Sequence, residues 1–498
     1  MKNNLSRHLF PRLECKRFLE DTAYQEDILA LVNRGVGGFV LFEGTLEEAS
    51  DTIERLRSHS SDYLLLAADC EFGLPMRFPG GTEFTSMMGL GYADDPEMTE
   101  EVASAIAKEM EAIGLDWNFA PVLDVNSNPD NPIINVRSFG EDQDRVAEHG
   151  AAYIRGMQKN GIIGCGKHFP GHGDTSVDSH IGLPVLEAKR ERLDELELLP
   201  FRRAVKEGVL SVMSGHLSVP ALDPSGLPAS LSSPILKRLR EELEFEGVVV
   251  TDALDMGAII TRFGAEEGVV QAFLAGNDVL EIPKHPAQAL KALSKACDDG
   301  RITQQMIDAS SLRLQALVRW RKVHRRNFNL EVVLSDGASL AEQVASASLK
   351  VVDSTEGRGL FSNDVLVIIL VDENSENSRE NVARWIELLE RQGYSDILPN
   401  VADEPDTIED ALQGSEATTV LLITSVRPRG GAGSVELSPR QQKIVRSINH
   451  SRSILLNLGN PYLLAQYLFG LRIDTFSSSL KSIAAGLSSL NVVRERVM

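Results

Sequence analysis

From about residue 25 to residue 300 the chain repeats one pattern: a short unbroken apolar run, then an amphipathic stretch of helical length. The runs are Val36–Phe42, Leu64–Asp69, Leu115–Ala120, Ile162–His168, Leu210–His216, Gly247–Asp252 and Asp278–Ile282. Between them lie Glu101–Ile113, Arg145–Asn160, Glu187–Lys206, Pro234–Glu244 and Glu266–Ala275. Apolar strands joined by helices mean parallel β-structure covered on both faces. Repeated over roughly 300 residues, the pattern predicts an α/β fold of the (β/α)8 TIM-barrel type. Seven strands are legible, one short of closure.

Polar residues cluster where these runs end. Asp69 closes the second, Lys167 and His168 the fourth, His216 the fifth and Asp252 the sixth. In a parallel barrel the loops after the strands converge on one mouth. Ile302–Lys322 reads as a long helix leading out of the first domain, 1–325. A second αβ pattern then begins, with apolar runs Asp364–Val371, Thr418–Thr424 and Ser453–Leu458 and helices near Ser378–Gln392 and Pro439–Asn449. It predicts a smaller doubly wound α/β domain over 330–498.

The segment Lys167-His168-Phe169-Pro170-Gly171-His172-Gly173-Asp174, continuing to Asp178-Ser179-His180, follows a strand and has no apolar period. It reads as a flexible loop over the mouth. Asp178 and His180 are two residues apart, so in an extended loop the carboxylate can orient the imidazole and favour its charged form, which suits a general acid. The alternatives are a loop held by its own hydrogen bonds and a metal site, but the spacing matches no common zinc pattern. Asp252, directly after Val248-Val249-Val250-Thr251, can attack an anomeric carbon, or can simply cap a helix. Asp69, Arg77, Arg137, Lys167 and His168 offer the charged hydrogen-bond partners that vicinal hydroxyls need. Each of them alone is equally a surface or salt-bridged residue.

The 498 residues carry a net charge of −22, which argues against nucleic-acid and anionic-membrane partners. Four dispersed cysteines form no metal knuckle and suggest a reducing compartment. With no export segment legible at the N-terminus, the expected location is cytoplasmic.

The run Lys167–His180 resembles the signature of glycoside hydrolase family three, in its β-N-acetylglucosaminidase branch. Asn118-Phe119-Ala120-Pro121-Val122-Leu123-Asp124-Val125 is similar to that family's third-strand segment, Arg137-Ser138-Phe139-Gly140 follows it, and Thr251-Asp252 looks like its nucleophile site. The resemblance implies a barrel followed by an α/β sandwich, with no metal or organic cofactor. It further implies a retaining enzyme that removes terminal N-acetylglucosamine from peptidoglycan fragments. Asp252 would be the nucleophile, His180 tuned by Asp178 the acid and base, and Asp69, Arg77, Arg137, Lys167 and His168 the sugar clamp. Phosphorolysis is physically open to such a site, because an imidazole does not repel an anionic acceptor. The rivals are a family-three β-glucosidase or β-xylosidase and a sugar-binding protein without catalysis. Two departures stand out. The family's Asp-Gln-Glu-Gly-Gly segment is here Asp69-Cys70-Glu71-Phe72-Gly73. After Leu458-Gly459-Asn460-Pro461-Tyr462 the likeness fades, and from about residue 467 no further strand–helix unit is legible, so the second domain is expected to be incomplete there.

Overall fold

A computed structural model describes residues 2–353, 365–371, 378–400, 412, 419–428, 435–448, 450 and 453–497. The N-terminal part is mixed α/β. Its strands are β1 (Leu9–Phe10), β2 (Arg12–Glu14), β3 (Gly38–Phe42), β4 (Leu65–Ala68), β5 (Trp117–Asn118), β6 (Cys165–Phe169), β7 (Ser211–Ser214), β8 (Val248–Thr251) and β9 (Leu280–Glu281). They form parallel sheets in the orders β2-β3-β4-β5, β6-β7-β8 and β1-β9. Single parallel bridges continue the pattern, Trp117 with Ile163 and Val250 with Val279. Leu9 and Arg12, on either side of Pro11, belong to a strand position that the sequence pattern missed. The physical reason is length: the two segments are two and three residues long and are split by a proline, which cannot donate to a ladder.

One apolar core draws on nearly every strand. Phe10, Val40, Leu65, Ala67, Trp117, Cys165, Met213, Val248 and Val250 meet inside, with Leu314 and Leu317 of the helix Gln304–His324 packed against them. A second layer fills the space between strands and surrounding helices, which is why the strands are apolar on both faces.

Buried carboxylates mark the strand starts. Asp116, just before β5, accepts from Arg321 Nε at 2.8 Å, Arg57 Nη2 at 3.0 Å, Tyr63 Oη at 2.8 Å and the Leu66 amide at 3.0 Å. Arg321 also donates to Glu111. Asp278, just before β9, accepts from Arg240, Arg313, Ser310 and the Val249 amide. These networks sit at the strand ends remote from Asp69, Lys167 and Asp252.

The C-terminal part is one six-stranded sheet. Its strands are β10 (Lys350–Asp353), β11 (Val365–Val371), β12 (Asp396–Asn400), β13 (Thr419–Ser425), β14 (Ser453–Asn457) and β15 (Leu471–Asp474), in the order β10-β15-β14-β13-β11-β12. All neighbours are parallel except β10 with β15. Alternate residues feed two cores: Val367, Ile369, Leu421 and Ile423 pack with Trp385, Ile483 and Leu487, and Leu366, Ile368 and Leu422 pack with Ile444 and Val445. Helices therefore cover both faces. Past residue 467, where the sequence advertises no strand–helix unit, the chain forms β15 and the helix Leu480–Val497. The signal is weak because the strand is four residues long and the helix is rich in serine, with Gly486 set against Leu456. No helix among the described residues is long and apolar enough to cross a membrane.

The Arg321 side chain is fully buried between two carboxylates. Replacing it strands their charges, so Arg321→Leu should lower stability by about 3–5 kcal/mol. Urea unfolding checks this, and a loss of a few tenths of a kcal/mol would contradict it.

Candidate active site

A cavity of about 500 Å³ opens at the C-terminal ends of the strands. Asp69, Arg77, Arg137, Lys167, His168, His180 and Asp252, read from the sequence as site residues, all line it. Asp178 stands behind His180 instead.

Its floor is an ion network. Lys167 Nζ lies 2.8 Å from Asp69 Oδ1 and 2.8 Å from Glu71 Oε1. Arg77 Nη2 donates to Asp69 Oδ2 at 2.8 Å, and Arg137 binds Glu71 through Nε at 3.0 Å and Nη2 at 2.7 Å. Arg137 is held further by the Ile133 carbonyl at 2.9 Å. Burial works against both carboxylates, but the cations outweigh it: Lys167 and Arg77 hold Asp69 far below the usual range, and Arg137 with Lys167 brings Glu71 to about 2. The same pairing keeps Lys167 charged despite burial.

His168 donates from Nδ1 to Asp124 Oδ2 at 2.7 Å, while the amides of His168 and His172 donate to Asp124 Oδ1 at 3.1 and 2.7 Å. His172 is buried, which lowers it to about 4 and keeps it neutral. The start of the loop is anchored by these bonds. A Cβ on Gly173 would lie 1.7 Å from the Val125 carbonyl oxygen, so this glycine serves close packing of backbone on backbone. Asn131 Nδ2 ties the carbonyls of His172 and Gly173 at 2.9 and 3.1 Å.

At the loop's far end His180 Nδ1 meets Asp178 Oδ1 at 2.9 Å, and the His180 amide donates to the same oxygen at 2.8 Å. The Asp178 side chain is fully buried and that of His180 is 42% exposed, so the imidazole edge faces the cavity while its carboxylate is shielded. Burial disfavours the imidazolium, but the Asp178 hydrogen bond and the charges of Asp252 and Asp178 outweigh it and raise the His180 pKa.

Asp252 follows β8. Its amide donates to the Ser214 carbonyl at 2.9 Å and its Oδ1 accepts from the Ala253 amide at 2.8 Å. Burial pushes its carboxyl up, and the imidazoles of His216, His168 and His180 with the Ala253 N–H carry it below the usual value. His216 lies behind it. Its Nε2 donates to the Ala253 carbonyl at 2.9 Å, and its Nδ1 is hydrogen-bonded with Ser230 Oγ at 2.7 Å. Burial lowers its pKa.

Four contributors escaped the sequence reading of the site. Glu71 is two residues past Asp69, and Asp124 lies inside a quoted segment. Both carry a signal only once their partners are known. Glu281 is a carboxyl at the end of an apolar run, which is a usable signal. It is 3% exposed, lines the cavity, and has Oε2 without a hydrogen-bond partner. Burial first, then the charges of Asp69 and Asp252, raise its pKa well above the usual carboxyl value, which favours its neutral form. Arg427 comes from the C-terminal sheet and has no sequence signal.

Comparison with known proteins gives a consistent picture. The profile described as glycosyl hydrolase family 3 N terminal domain matches residues 15–317. Beta-hexosaminidase A of Pseudoalteromonas piscicida is 34% identical over 343 residues, 62% of this chain and 57% of that protein. A beta-N-acetylglucosaminidase/beta-glucosidase of Cellulomonas fimi is 31% identical over 350 residues, 66% of this chain and 62% of that one. The match thus spans less than two thirds of the length of either relative. The structure of a glycoside hydrolase family 3 beta-N-acetylglucosaminidase from a Paenibacillus strain superimposes with a TM-score of 0.86 at 30% identity, covering 98% of this chain and 96% of the other.

A neutral Glu281 makes two expectations. Glu281→Gln keeps its shape and charge, so turnover should survive where Glu281→Ala loses it. Its raised pKa also means that unfolding releases a proton once pH exceeds the unfolded value of about 4.3. Wild-type stability should therefore fall relative to Glu281→Gln as pH rises from there through the folded pKa. A pH-independent difference between the two in urea unfolding would contradict this.

Proposed function

The chain belongs to glycosyl hydrolase family 3, and from that premise we propose that it is a retaining β-N-acetylglucosaminidase acting on terminal non-reducing N-acetylglucosamine. The observation that carries the reading is the Asp178–His180 pair set on the same cavity as Asp252. With Nδ1 committed to Asp178, the charged imidazole has its Nε2 proton for the leaving oxygen. Asp252, ionised, attacks the anomeric carbon and forms a glycosyl-enzyme; neutral His180 then takes a proton from water, which releases the sugar with retention. Asp69, Arg77, Arg137, Lys167 and His168 supply hydrogen-bond partners for the sugar hydroxyls, and their mutual pairing fixes them before substrate arrives.

The glucosidase rival places its acid on a carboxylate of the second domain. Here the described second-domain residues on the cavity are Arg427 and Pro428, and the segment 425–435 contains no Asp or Glu. This favours the N-acetylglucosaminidase reading. As natural substrates we propose peptidoglycan fragments, on the family resemblance. As setting we propose the cytoplasm, on four dispersed cysteines, none of them in a disulfide. We also read the N-terminal sheets as arcs of one (β/α)8 barrel over 1–325, followed by an α/β sandwich over 330–498. Support comes from the parallel bridges between the arcs and from the Gly37 and Val40 amides, which donate to the carbonyls of Leu9 and Pro11 at 3.3 and 2.9 Å.

Release of nitrophenol from aryl glycosides tests the activity. Cleavage of the glucoside with none of the N-acetylglucosaminide would overturn it, and equal slow release by wild type and Asp252→Asn would favour a binding protein. Addition of phosphate separates hydrolysis from phosphorolysis. His180→Ala should cost roughly 10²–10⁴-fold on substrates with poor leaving groups and far less on activated aryl ones. Because Asp178 raises the His180 pKa, turnover of poor substrates should hold above the ordinary histidine range of about 6.5 and fall at higher pH. Asp178→Asn should move that fall to lower pH, and an unmoved limb would remove Asp178 from this role.

A further inference from the structure

His180 and Asp252 sit on different segments. The loop after β6 carries the imidazole, and the segment after β8 begins with the carboxylate. Double displacement needs a set spacing between the group that protonates and the group that attacks. One segment must therefore be gauged against the other. The Asp252 segment is tied to two strands: the Asp252 amide donates to the Ser214 carbonyl of β7 at 2.9 Å, and the Leu254 amide donates to the Glu281 carbonyl of β9 at 3.0 Å. Leu254 and Met256 are buried. The helix Gly257–Phe263 follows at once, with Ala258 and Ile259 in the core. Gly257 thus stands five residues past Asp252, at the end of a well-anchored run.

The His180 loop is fastened at both ends. Asp124 and Asn131 hold His172 and Gly173 at its start. At its end Ser218 donates to the Pro184 carbonyl at 2.8 Å and accepts from the Leu186 amide at 2.9 Å. Between these anchors Ser176 and Val177 are exposed, and the stretch that bears His180 leans on the start of the helix Gly257–Phe263. The Ala258 amide donates to the Ser179 carbonyl at 3.3 Å. The contact at Gly257 is tighter. A Cβ there would lie 2.5 Å from the His180 carbonyl oxygen and 3.2 Å from that of Ile181. Gly257 has no left-handed φ to explain its choice, so what matters is the missing side chain. Non-bonded heavy atoms settle at about 3.5 Å or beyond, so a methyl group here must push the His180 backbone back by roughly 1 Å. Backbone on backbone leaves no side-chain rotation to relieve it.

We propose that Gly257 is a positioning residue for the acid: its bare backbone lets the His180 carbonyl seat against it, and that contact sets the distance from the His180 imidazole to Asp252. This deepens the hydrolase reading and rests on it. The two neighbours of His180 then have separate tasks. Asp178 orients the ring within its loop, and Gly257 places the loop against the segment that carries Asp252. Pushing the loop back leaves Asp252 and the sugar clamp where they are, so the loss falls on protonation of the leaving oxygen. A contact that only filled space would lower stability and treat every leaving group alike.

Gly257→Ala tests this on aryl N-acetylglucosaminides whose leaving groups run from dinitrophenol to phenol. It should lower kcat/KM on the phenyl glycoside by roughly 10–100-fold, the effect of a displacement near 1 Å, and change the dinitrophenyl glycoside by no more than about twofold. KM for the dinitrophenyl glycoside should hold, because the clamp is untouched. In a His180→Ala background the same substitution should add nothing, since the group it displaces is gone. Equal loss on all leaving groups, or a full further loss on top of His180→Ala, would overturn the proposal. So would a Gly257→Ala chain that urea unfolding shows to be unfolded, because the contact would then hold the fold rather than the acid. The ring-proton NMR signal of His180, identified by its absence in His180→Ala, should shift in Gly257→Ala, and an unmoved signal also counts against the contact. A shifted signal in a protein whose wild type cleaves no N-acetylglucosaminide keeps the contact and removes the hydrolase reading. Turnover that Gly257→Ala leaves unchanged on every leaving group does the reverse.

Discussion

The cavity depends on the pairing of Lys167 with Asp69 and Glu71. One ammonium, buried within β6, holds two carboxylates that follow β4, and through Glu71 it also fixes Arg137 from the next loop. No member could be buried alone, because an uncompensated charge in that position costs several kcal/mol. Together they form a closed set whose charges are largely mutual. The set stays ionised over a wide pH range, so its donors and acceptors are oriented before any sugar arrives. Around it the titrating groups divide by environment. Glu281, with no cation at hydrogen-bond distance among the described residues, has its pKa raised by burial, while the neighbouring imidazoles and the Ala253 N–H lower that of Asp252. Two carboxyl groups on one cavity are thereby shifted in opposite directions.

The sequence made one half of this legible. Strand ends could be read because the apolar runs stop abruptly, and Asp69, Lys167, His168 and Asp252 stand at those stops. The Asp178–His180 contact could be read because a spacing of two limits where the side chains can go. What could not be read were pairings between segments far apart in the chain. Glu71 matters through Arg137, 66 residues on, and Asp124 through His168, 44 residues on. Nothing local distinguishes either from a surface acid. The loop glycines show the same limit. Gly173 suggests freedom of motion, yet the structure uses its missing side chain for a backbone contact with Val125.

Short elements were lost for a related reason. Leu9–Phe10 and Arg12–Glu14 carry too few residues to show a period, and Leu471–Asp474 is a strand by virtue of its neighbours β14 and β10. In each case pairing supplies what propensity does not. The segment Leu458-Gly459-Asn460-Pro461-Tyr462, recognisable in the sequence without an evident job, gains one from the fold. Asn460 and Tyr462 bond to Asn135 and Asn126 on the loop before Arg137, which joins the C-terminal sheet to the clamp.

That junction explains why the second sheet bears on chemistry carried out by the first. The buried carboxylates at the strand starts, Asp116 and Asp278, are saturated by arginines and backbone amides and have nothing left to offer a ligand. At the strand ends the same residue types are left with one face open to the cavity. The difference lies in what covers them. The helix Gln304–His324 closes the starts with Arg313 and Arg321, each bound to a carboxylate. The ends are covered instead by the segment after β13, whose Arg427 has no carboxylate partner among the described residues. A cover of the first kind completes a network and stabilises the fold; one of the second kind leaves the cavity open on that side.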